Sequence, residues 1–416
     1  MRLLACFLST IFVVSAYKSY DGYQVITSRT VTLRDLSEPR RLENDPEYIF
    51  WARPAVGRPL HVMTSQISIG KLWSELEHLN LAPSVYIEDV GPVLAKADEK
   101  RQKLMDIPLN RAVSFDRYMT LQEILDYTAE VVQNYPLHSS LLELGTTYEG
   151  NPLRAVKVSN GPGKRGIFLD AGTHAREHIT HPLALKAIFE LVENYDQNKA
   201  LVDLFDWYIL PVANPDGYNY TFNEDRFWRK NRSPNVGSDC VGTDPNRNYD
   251  INWGIDGDAN PCSEAYRGVA AFSEAESSAI GSALRDIENN GGLALYMSTH
   301  CYGTFLIYPW GFTYEFPVTY DELAKAANLT ATAIEAVNGT RFVIGSSANV
   351  YFPAVGASMD YAYAVGNNNT YSYTWELPAG GEFGFAPLPE DILPIVSETW
   401  EGIKALANYV NTQVLK

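Results

Sequence analysis

The stretch that most constrains the fold is residues 165–186, RGIFLDAGTHAREHITHPLALK. Its first part is an apolar run with the length of a buried strand, and from about Thr180 its apolar spacing is that of a helix. A buried strand that leads directly into a helix is typical of an α/β domain with a mostly parallel sheet. Between the strand and the helix lie His174, Glu177 and His178, whose side chains can bind a metal.

The same alternation of strands and helices continues along residues 112–416. DWYILPVANPDG, LALYMSTH and TYSYTWEL are further predicted strands, and a helix from about residue 389 closes the chain. The pairs Thr120–Glu123 and Ser273–Glu276 match the capping-box spacing that marks the start of a helix. This order predicts an α/β fold in which helices sandwich a mixed, mostly parallel sheet.

Two of these strands end in residues that can carry chemistry. His300 ends the strand predicted at 293–299, and Glu376 ends the strand predicted at 370–376. Alternation along the last strand divides its residues into Tyr371, Tyr373 and Trp375 on one face and Ser372, Thr374 and Glu376 on the other. Sites in open α/β sheets assemble at the carboxyl ends of strands. A carboxylate buried there needs a partner, and a metal-bound water or a cation would supply it.

The metal ligands have two interpretations. In an H-x-x-E-H helix, His174 and His178 both bind zinc and Glu177 is the base of an endopeptidase. Here Gly172 comes two residues before His174 and the helical pattern starts only near Thr180, so the motif straddles a loop. We therefore favour His174 and Glu177 as ligands, with His300 as the third and an open position for water.

The N-terminal part has a different organisation. Residues 1–16 carry one Arg, an apolar run and a small-residue cleavage pattern, which predict a signal peptide and a secreted, extracellular protein that does not span a membrane. Residues 17–95 alternate short strands and helices, as in a small α+β domain, and we expect this domain to cover something. Residues 96–111 are basic and polar; we interpret them as a junction open to a protease, the alternative being a solvated surface helix. The basic candidates for cleavage are Lys100, Arg101, Lys103 and Arg111.

The net charge excludes one class of partner, and the cysteines and sequons fit a secreted protein. A formal net charge of −17 argues against nucleic acid as a partner, since phosphate binding needs a basic surface. In an oxidising compartment, Cys240 and Cys262 are predicted to form a disulfide, whereas Cys301, beside His300, is expected to be a buried free thiol. The sequons of the predicted glycoprotein are at Asn219, Asn231, Asn328, Asn338 and Asn368.

Eight motifs, in this order, resemble those of the zinc procarboxypeptidases of the A/B type, the funnelin metallocarboxypeptidases. They are GTHAREHIT, NPDGY, RFWRKNRS, CVGTDPNRNYD, STHCYG, LIYPWG, SMDYAY and YTWELP. The resemblance covers essentially the whole chain and implies a signal peptide, an activation prodomain (17–95), an activation segment (96–111) and a carboxypeptidase domain (112–416). It also implies a monomer with one zinc ion per chain. Its substrates would be peptides or proteins with a free C-terminal carboxylate, and a protease would activate it.

The resemblance also assigns roles residue by residue. The implied zinc ligands are His174, Glu177 and His300, with Asp244 orienting His174. The implied catalytic residues are Glu376, as general base and then acid, and Arg229, which stabilises the oxyanion. The implied substrate-binding residues are Asn246 and Arg247 for the terminal carboxylate, and Arg176 and Tyr302 for the N-terminal side of the scissile bond. A planar guanidinium such as that of Arg247 suits a carboxylate.

The expected substrate specificity depends on the pocket that binds the side chain of the substrate's C-terminal residue. The family's specificity position falls on Met359, where an acidic residue would select Lys or Arg, so we expect a preference for large apolar or aromatic residues. Gly311 would leave the pocket open to rings. The family's mobile tyrosine falls on Phe352 by strict spacing, or on Tyr351 if the loop bulges by one residue.

Two other functions remain as alternatives. One is a catalytically silent binding protein on the same fold, although all the implied ligands and the base are present. The other is the H-x-x-E-H endopeptidase, against which the carboxylate-binding pair Asn246–Arg247 and the distant His300 both argue. His178 and His181 are interpreted as structural residues.

Overall fold

Two β-sheets of different size organise the chain in the computed structural model, which describes residues 17–32, 35, 39–106, 112–255, 257–380 and 384–413. The predicted signal peptide at residues 1–16 lies outside the described residues. Among the helices that are described, none is both long enough and apolar enough to cross a bilayer.

The smaller sheet lies in the N-terminal part and has four antiparallel strands in the order β2-β3-β1-β4. Its elements are β1 (Gln24–Thr27), β2 (Tyr48–Ala52), β3 (His61–Thr64), α1 (Ile69–His78), β4 (Ser84–Ile87) and α2 (Val90–Met105), with a 3₁₀ helix at Pro39–Asn44. Alternate residues face opposite sides. Ile26 packs with α1, whereas Val25 packs with α2 and with Phe227 and Phe385 of the larger part. The second face of this sheet is therefore an interface within the chain.

Helix α2 covers most of the predicted junction. It runs from Val90 to Met105, so residues 96–105 are helical and continue a helix that begins before the boundary expected at residue 96. The ion pairs Arg101–Asp98 (3.3 Å) and Lys103–Glu99 (2.6 Å) support helical continuation, as expected for side chains three and four residues apart. Arg111 lies outside the described residues.

The larger sheet has eight strands in the order β11-β10-β12-β9-β7-β8-β6-β5. Its strands are β5 (Ser139–Thr146), β6 (Pro152–Val158), β7 (Arg165–Ala171), β8 (Phe205–Leu210), β9 (Leu293–Cys301), β10 (Phe305–Tyr308), β11 (Val343–Ser346) and β12 (Tyr371–Leu377). The central strands β12, β9, β7 and β8 are parallel, whereas β10, β6 and β5 join by antiparallel pairing. The predicted mixed sheet is confirmed.

Helices cover both faces of this sheet. They are α3 (Leu121–Asn134), α4 (Thr180–Ile188), α5 (Tyr195–Leu204), α6 (Pro215–Asn223), α7 (Ala275–Asn289), α8 (Tyr320–Asn338), α9 (Ser347–Val350), α10 (Ser358–Val365) and α11 (Pro389–Thr412). Residues of α3, α4, α5, α8 and α11 bury one face with Ile167 and Leu169 of β7, whereas α7 and α10 bury the other with Phe168. The alternating side chains of one buried strand thus supply both cores.

One predicted helix start is confirmed and one is wrong. Thr120 and Glu123 form the capping box at the start of α3. Helix α7 instead starts at Ala275 after Glu274, without a side-chain cap. The side chain of Glu276 is drawn inward, where Nδ2 of Asn231 donates to it at 3.0 Å, so it cannot reach back to cap the helix.

The turn after β7 directs the chain toward His174. Gly172 has φ +72°, and a Cβ there would lie 2.0 Å from Cε1 of His181. His181 is itself fixed, because its Nδ1 lies 2.8 Å from the carbonyl oxygen of Pro211. Only glycine combines this backbone conformation with the close approach of the imidazole ring.

We predict that Gly172→Ala lowers the free energy of unfolding by about 2–4 kcal/mol, because positive-φ strain adds to overpacking against His181. The matched control is Gly150→Ala: Gly150 has φ +89°, but its added Cβ would meet no atom within 4 Å. Backbone strain alone should cost this control about 1 kcal/mol. Urea unfolding of both metal-free variants measures the difference. Equal losses would show that the contact with His181 does not matter.

Candidate active site

The carboxyl ends of three adjacent parallel strands bring together the polar residues singled out in the sequence. β9 lies between β7 and β12, and Glu376 of β12 is in register with His300 of β9. His174 follows the end of β7 by three residues. The expected gathering of these side chains at one sheet edge is thus observed.

His174, Glu177 and His300 form a buried cluster. Nδ1 of His174 lies 2.9 Å from Oε1 of Glu177 and 3.0 Å from Nδ1 of His300, which in turn lies 3.2 Å from Oε2 of Glu177. Two ring nitrogens that face each other beside a carboxylate direct their lone pairs at one point. Two histidines and one carboxylate are a donor set typical of catalytic zinc, so these residues fit a zinc ion.

Asp244 fixes the orientation of His174. Its Oδ1 lies 3.0 Å from Nε2 of His174, and its Oδ2 accepts a hydrogen bond of 2.8 Å from Nη2 of Arg229. Burial alone would raise the pKa of Asp244, but the charges of Arg229 and His174 outweigh it and hold that pKa well below its usual value. With Nε2 of His174 held by a carboxylate, Nδ1 is left to face the cluster.

His178 does not join His174 in a metal pair. Helix α4 starts only at Thr180, so the two histidines are not on one helical face. Nε2 of His178 lies 2.8 Å from Oγ1 of Thr221, and its ring stacks on Phe222. This placement supports the structural interpretation of His178 and argues against an H-x-x-E-H site.

Glu376 ends β12 on the face turned toward the cluster, while Tyr373 and Trp375 pack in the core as alternation predicted. Burial raises the pKa of Glu376 to about 7, and the nearby charge of Glu177 adds to the rise. A carboxyl group that titrates near neutral pH can both take and return a proton, which is what a general base and acid needs.

Arg229, Asn246 and Arg247 line the same pocket. Burial lowers the pKa of Arg247 to about 10, and Nη1 donates to the carbonyl oxygen of Asn246 at 2.6 Å. Among the residues that the structure describes, no carboxylate forms an ion pair with Arg247. A buried guanidinium without an anionic partner is suited to bind a carboxylate from outside the chain.

Arg176 and Tyr302 are both engaged by other residues. Arg176 forms a bidentate ion pair with Glu264 (2.7 and 3.0 Å) and donates from Nη2 to the carbonyl oxygen of Phe50 at 2.9 Å. The Tyr302 hydroxyl lies 3.1 Å from Nδ1 of His61. Phe50 and His61 belong to β2 and β3, so the N-terminal sheet contacts both of these predicted subsite residues.

The N-terminal sheet also closes the pocket. Phe50, Trp51 and Arg53 line it together with the cluster residues. The Arg53 guanidinium lies over the Phe352 ring at 5.0 Å. The cavity that remains is about 50 Å³, room for about one or two water molecules rather than for a peptide side chain. Sequence patterns gave no sign of Arg53, because it lies in a domain without a chemical motif.

Tyr351 and Phe352, the two candidates for the family's mobile tyrosine, are both pocket residues. The ring of Tyr351 packs 5.0 Å from that of Phe305. The ring of Phe352 lies 5.6 Å from the Arg247 guanidinium, next to the pair expected to bind a terminal carboxylate. The position given by strict spacing therefore adjoins Arg247, and the tyrosine beside it faces the pocket as well.

Met359 and Gly311 line the pocket, whereas the acidic neighbour of Met359 has another role. The Asp360 carboxylate accepts hydrogen bonds from the backbone N–H of Gly311 (2.9 and 3.0 Å) and of Phe312 (3.2 Å). Asp360 thereby holds the glycine turn against α10. Sequence analysis missed this residue, because no pattern links an aspartate to a turn so far away in the chain.

The cysteine predictions agree with the structure. Cys240 and Cys262 form a disulfide, with Cα atoms 5.0 Å apart, and Cys301 is free and buried. Cys301 also contributes its backbone N–H, which donates to Oε2 of Glu177 at 3.2 Å. The residue after one cluster histidine thus helps to orient the cluster carboxylate.

Comparison with known proteins gives matches over both parts of the chain. The profile of the family described as zinc carboxypeptidase matches residues 124–402, and that of the carboxypeptidase activation peptide matches residues 29–97. The chain is 34% identical to Carboxypeptidase A2 of Rattus norvegicus over 415 residues, which is 98% of each protein. It is also 34% identical to Carboxypeptidase A1 of Homo sapiens over 414 residues, which is 96% of each.

Solved structures agree with these matches. Carboxypeptidase A from Helicoverpa armigera superposes with a TM-score of 0.89 at 30% identity, covering 94% of this chain and 98% of that one. Thrombin activatable fibrinolysis inhibitor superposes with a TM-score of 0.81 at 28% identity, covering 94% and 99%. The similarity therefore extends over both sheets.

Asp360, which holds the turn at Gly311, should make the free energy of unfolding depend on pH. Burial raises the pKa of Asp360 to about 7, from a usual value of 3.8. The folded state therefore holds this proton more tightly than the unfolded state does. Its contribution to the free energy of unfolding is present below pH 4 and is lost as the pH rises from about 4 to 7, by about 4 kcal/mol at most.

Urea unfolding of the metal-free protein at several pH values tests this prediction. Asp360→Asn should remove the part of the decline in the free energy of unfolding that Asp360 causes between pH 4 and 7. Asp286→Asn should retain it, because Asp286 is exposed on α7. If the Asp360→Asn variant shows the same pH dependence as the wild type, Asp360 does not titrate in this range.

Proposed function

The chain belongs to the zinc carboxypeptidase family, and we propose that it is a secreted enzyme, made as a zymogen, that releases large apolar or aromatic residues from the C-termini of peptides. The observation that carries this proposal is the composition of one pocket. It contains the His174–Glu177–His300 cluster, the buried carboxyl group of Glu376, the unpaired guanidinium of Arg247 and an apolar base at Met359.

His174, Glu177 and His300 would hold one zinc ion per chain. Zinc in this site supplies Lewis acidity, which polarises a peptide carbonyl and makes water more acidic. Asp244 keeps the His174 ring in place, and the backbone N–H of Cys301 keeps the Glu177 carboxylate in place. These outer contacts support a rigid donor set, which metal binding requires.

The remaining residues would bind and activate the substrate. Asn246 and Arg247 bind the terminal carboxylate, which makes the enzyme an exopeptidase. Glu376 takes a proton from water and returns it to the leaving amine, as its pKa of about 7 allows. Arg229, held by Asp244, stabilises the negative charge that develops on the carbonyl oxygen. Arg176 and Tyr302 would contact residues N-terminal to the scissile bond once the N-terminal sheet has left.

The N-terminal domain would keep the enzyme inactive. Its contacts with Arg176 and Tyr302 block residues that the substrate needs, and Arg53 occupies the space beside Phe352. Cleavage within residues 96–111 by a protease would release the domain 17–95 from the catalytic domain 112–416. The apolar run at residues 1–16 supports export of this zymogen, which we expect to be monomeric.

Export also bears on the five sequons. Asn231 is buried, and its Nδ2 donates to Oε2 of Glu274 at 2.8 Å and of Glu276 at 3.0 Å. A glycan on this side chain would displace both contacts, so we expect Asn231 to remain unmodified. Asn219, Asn328 and Asn338 are exposed and are better candidates for glycosylation than Asn231.

Residue release from two blocked dipeptides, one ending in Phe and one in Lys, tests the proposed function. The protein is first treated with trypsin and is assayed with and without a zinc chelator. The proposal expects chelator-sensitive release of Phe and little release of Lys. No release from either substrate by the zinc-loaded protein would indicate a silent binding protein. Cleavage inside a peptide with a blocked C-terminus would indicate an endopeptidase.

Met359→Asp should invert this preference. A carboxylate at the base of the pocket would be costly to bury against an apolar side chain but would pair with Lys or Arg. We expect kcat/KM for the Phe substrate to fall and that for the Lys substrate to rise, each by roughly 10- to 100-fold. Met359→Leu is the control and should keep the preference for Phe. An unchanged preference in Met359→Asp would mean that Met359 does not form the pocket base.

Activation should depend on exposure within α2. The Lys103 side chain is 71% exposed, whereas that of Arg101 is 24% exposed and lies over the Phe222 ring. Cleavage needs local opening of the helix, and opening at Arg101 would break its contact with Phe222. Trypsin should therefore cut after Lys103 before it cuts after Arg101. N-terminal sequencing of timed digests identifies the first cut. Lys103→Gln should slow this cut, and Lys96→Gln serves as a control. Full activity of the uncleaved chain would contradict the zymogen proposal.

A further inference from the structure

We propose that Asp170 is a positioning residue that acts through Ser298 to hold His300 in the tautomer that leaves Nδ1 free for zinc. The inference rests on the zinc site of the proposed function. Ser298 begins the STHCYG motif, but the resemblance gives no role to Ser298 or Asp170, and neither residue lines the pocket.

The three residues lie in one buried line between neighbouring strands. Asp170 of β7 is in register with Ser298 of β9, and Ser298 precedes His300 by two residues on the same strand face. Oγ of Ser298 lies 2.8 Å from Oδ1 of Asp170 and 3.1 Å from Nε2 of His300. All three side chains are almost completely buried, so water does not compete for these contacts.

The number of available protons sets the direction of the two hydrogen bonds that link Asp170, Ser298 and His300. Ser298 has a single hydroxyl hydrogen, and the shorter contact, to the Asp170 carboxylate, takes it. Oγ of Ser298 can then only accept from His300, so Nε2 must carry the ring proton. Nδ1 of His300 is left with a free lone pair, and this is the atom that faces His174 and Glu177.

Asn246 is the other polar group near Nε2 of His300, and it does not provide this contact. Its Nδ2 lies 3.4 Å from Nε2, near the upper limit for a hydrogen bond. Its Oδ1 accepts from the backbone N–H of Ser358 at 2.8 Å, which fixes the amide with the NH₂ group toward His300. An NH₂ group cannot accept a hydrogen bond from the ring, so Ser298, and not Asn246, accepts from Nε2.

The two cluster histidines are therefore oriented in different ways. Nε2 of His174 contacts the Asp244 carboxylate directly at 3.0 Å, whereas Nε2 of His300 reaches the Asp170 carboxylate through Ser298. Asp170 is fully buried and forms no ion pair with any described residue; the hydroxyl groups of Ser298 and Thr173 donate to it, and the hydroxyl group of Tyr296 also interacts with it. A carboxylate buried without a cationic partner is costly, which is reasonable if it orients a metal ligand.

Zinc affinity of the full-length protein tests the inference directly, by competition with a chromophoric chelator. Ser298→Ala should raise the zinc dissociation constant roughly 10- to 100-fold, as expected when a partner of a ligating histidine is removed. Asp170→Asn should raise it by less, because the amide oxygen can still accept from Ser298. In the double variant, the dissociation constant should rise no more than in Ser298→Ala alone, since both changes break the same series of hydrogen bonds.

Two further variants separate positioning from general loosening of the strand. Thr299 is as buried as Ser298, and its hydroxyl donates to the backbone carbonyl oxygen of Asp170 at 2.8 Å. Thr299→Val should leave zinc affinity unchanged. Ser298→Thr keeps the hydroxyl group and should restore most of the affinity that Ser298→Ala loses. The thermal unfolding of the metal-free proteins shows whether the variants remain folded.

Three results would overturn the inference. One is zinc affinity that Ser298→Ala leaves unchanged, and another is an equal loss in Ser298→Ala and Thr299→Val. The third is a double variant in which the two single effects multiply, because this would show that Asp170 and Ser298 act independently. If the wild-type protein itself binds no zinc, the proposed metal site fails together with the inference.

Discussion

The parallel alignment of β7, β9 and β12 is the constraint on which the site depends. Because the three strands run in the same direction as neighbours, His174, His300 and Glu376 meet at one sheet edge although they are far apart in the sequence. The two carboxylates gathered there, Glu177 and Glu376, repel each other, and a cation bound between them would relieve this repulsion. Asp244 and Arg229 fix one side of this group through buried hydrogen bonds. The donor set is therefore preorganised by the sheet and by its outer contacts, and a zinc ion held there would supply the missing charge.

Apolar packing beside the site explains why the N-terminal domain covers it. Val25, Met63 and Trp51 of the small sheet pack against Phe227 and Phe385 of the catalytic part. Phe227 is two residues from Arg229, so the apolar rim that a peptide would use is buried against the domain. The domain also makes polar contacts beside this packing, from the carbonyl oxygen of Phe50 to Arg176 and from His61 to the hydroxyl group of Tyr302. A domain bound in this way would exclude peptides from the proposed zymogen by covering the pocket that Phe50, Trp51 and Arg53 line.

Much of this arrangement could be predicted from the sequence, and the omissions have physical causes. The central strands and the ligand set were predictable, because buried parallel strands are continuous apolar runs that end in polar residues. The edge strands β5 and β11 and their inner neighbours β6 and β10 were missed, since short or partly exposed strands lack that signal. The cap predicted at Ser273 failed because buried Asn231 binds Glu276. The helical state of residues 96–105 was obscured by their charge, and Arg53, Asp170 and Asp360 act through contacts that only the fold creates.

In the proposed metal site, His300 and not His178 is the third ligand. Zinc content of purified His300→Ala and His178→Ala, measured against the wild type, tests it most directly. The structure predicts one zinc per chain in the wild type, retention in His178→Ala and loss in His300→Ala. Loss of zinc from His178→Ala with retention in His300→Ala would contradict the account and favour a site built on the H-x-x-E-H motif.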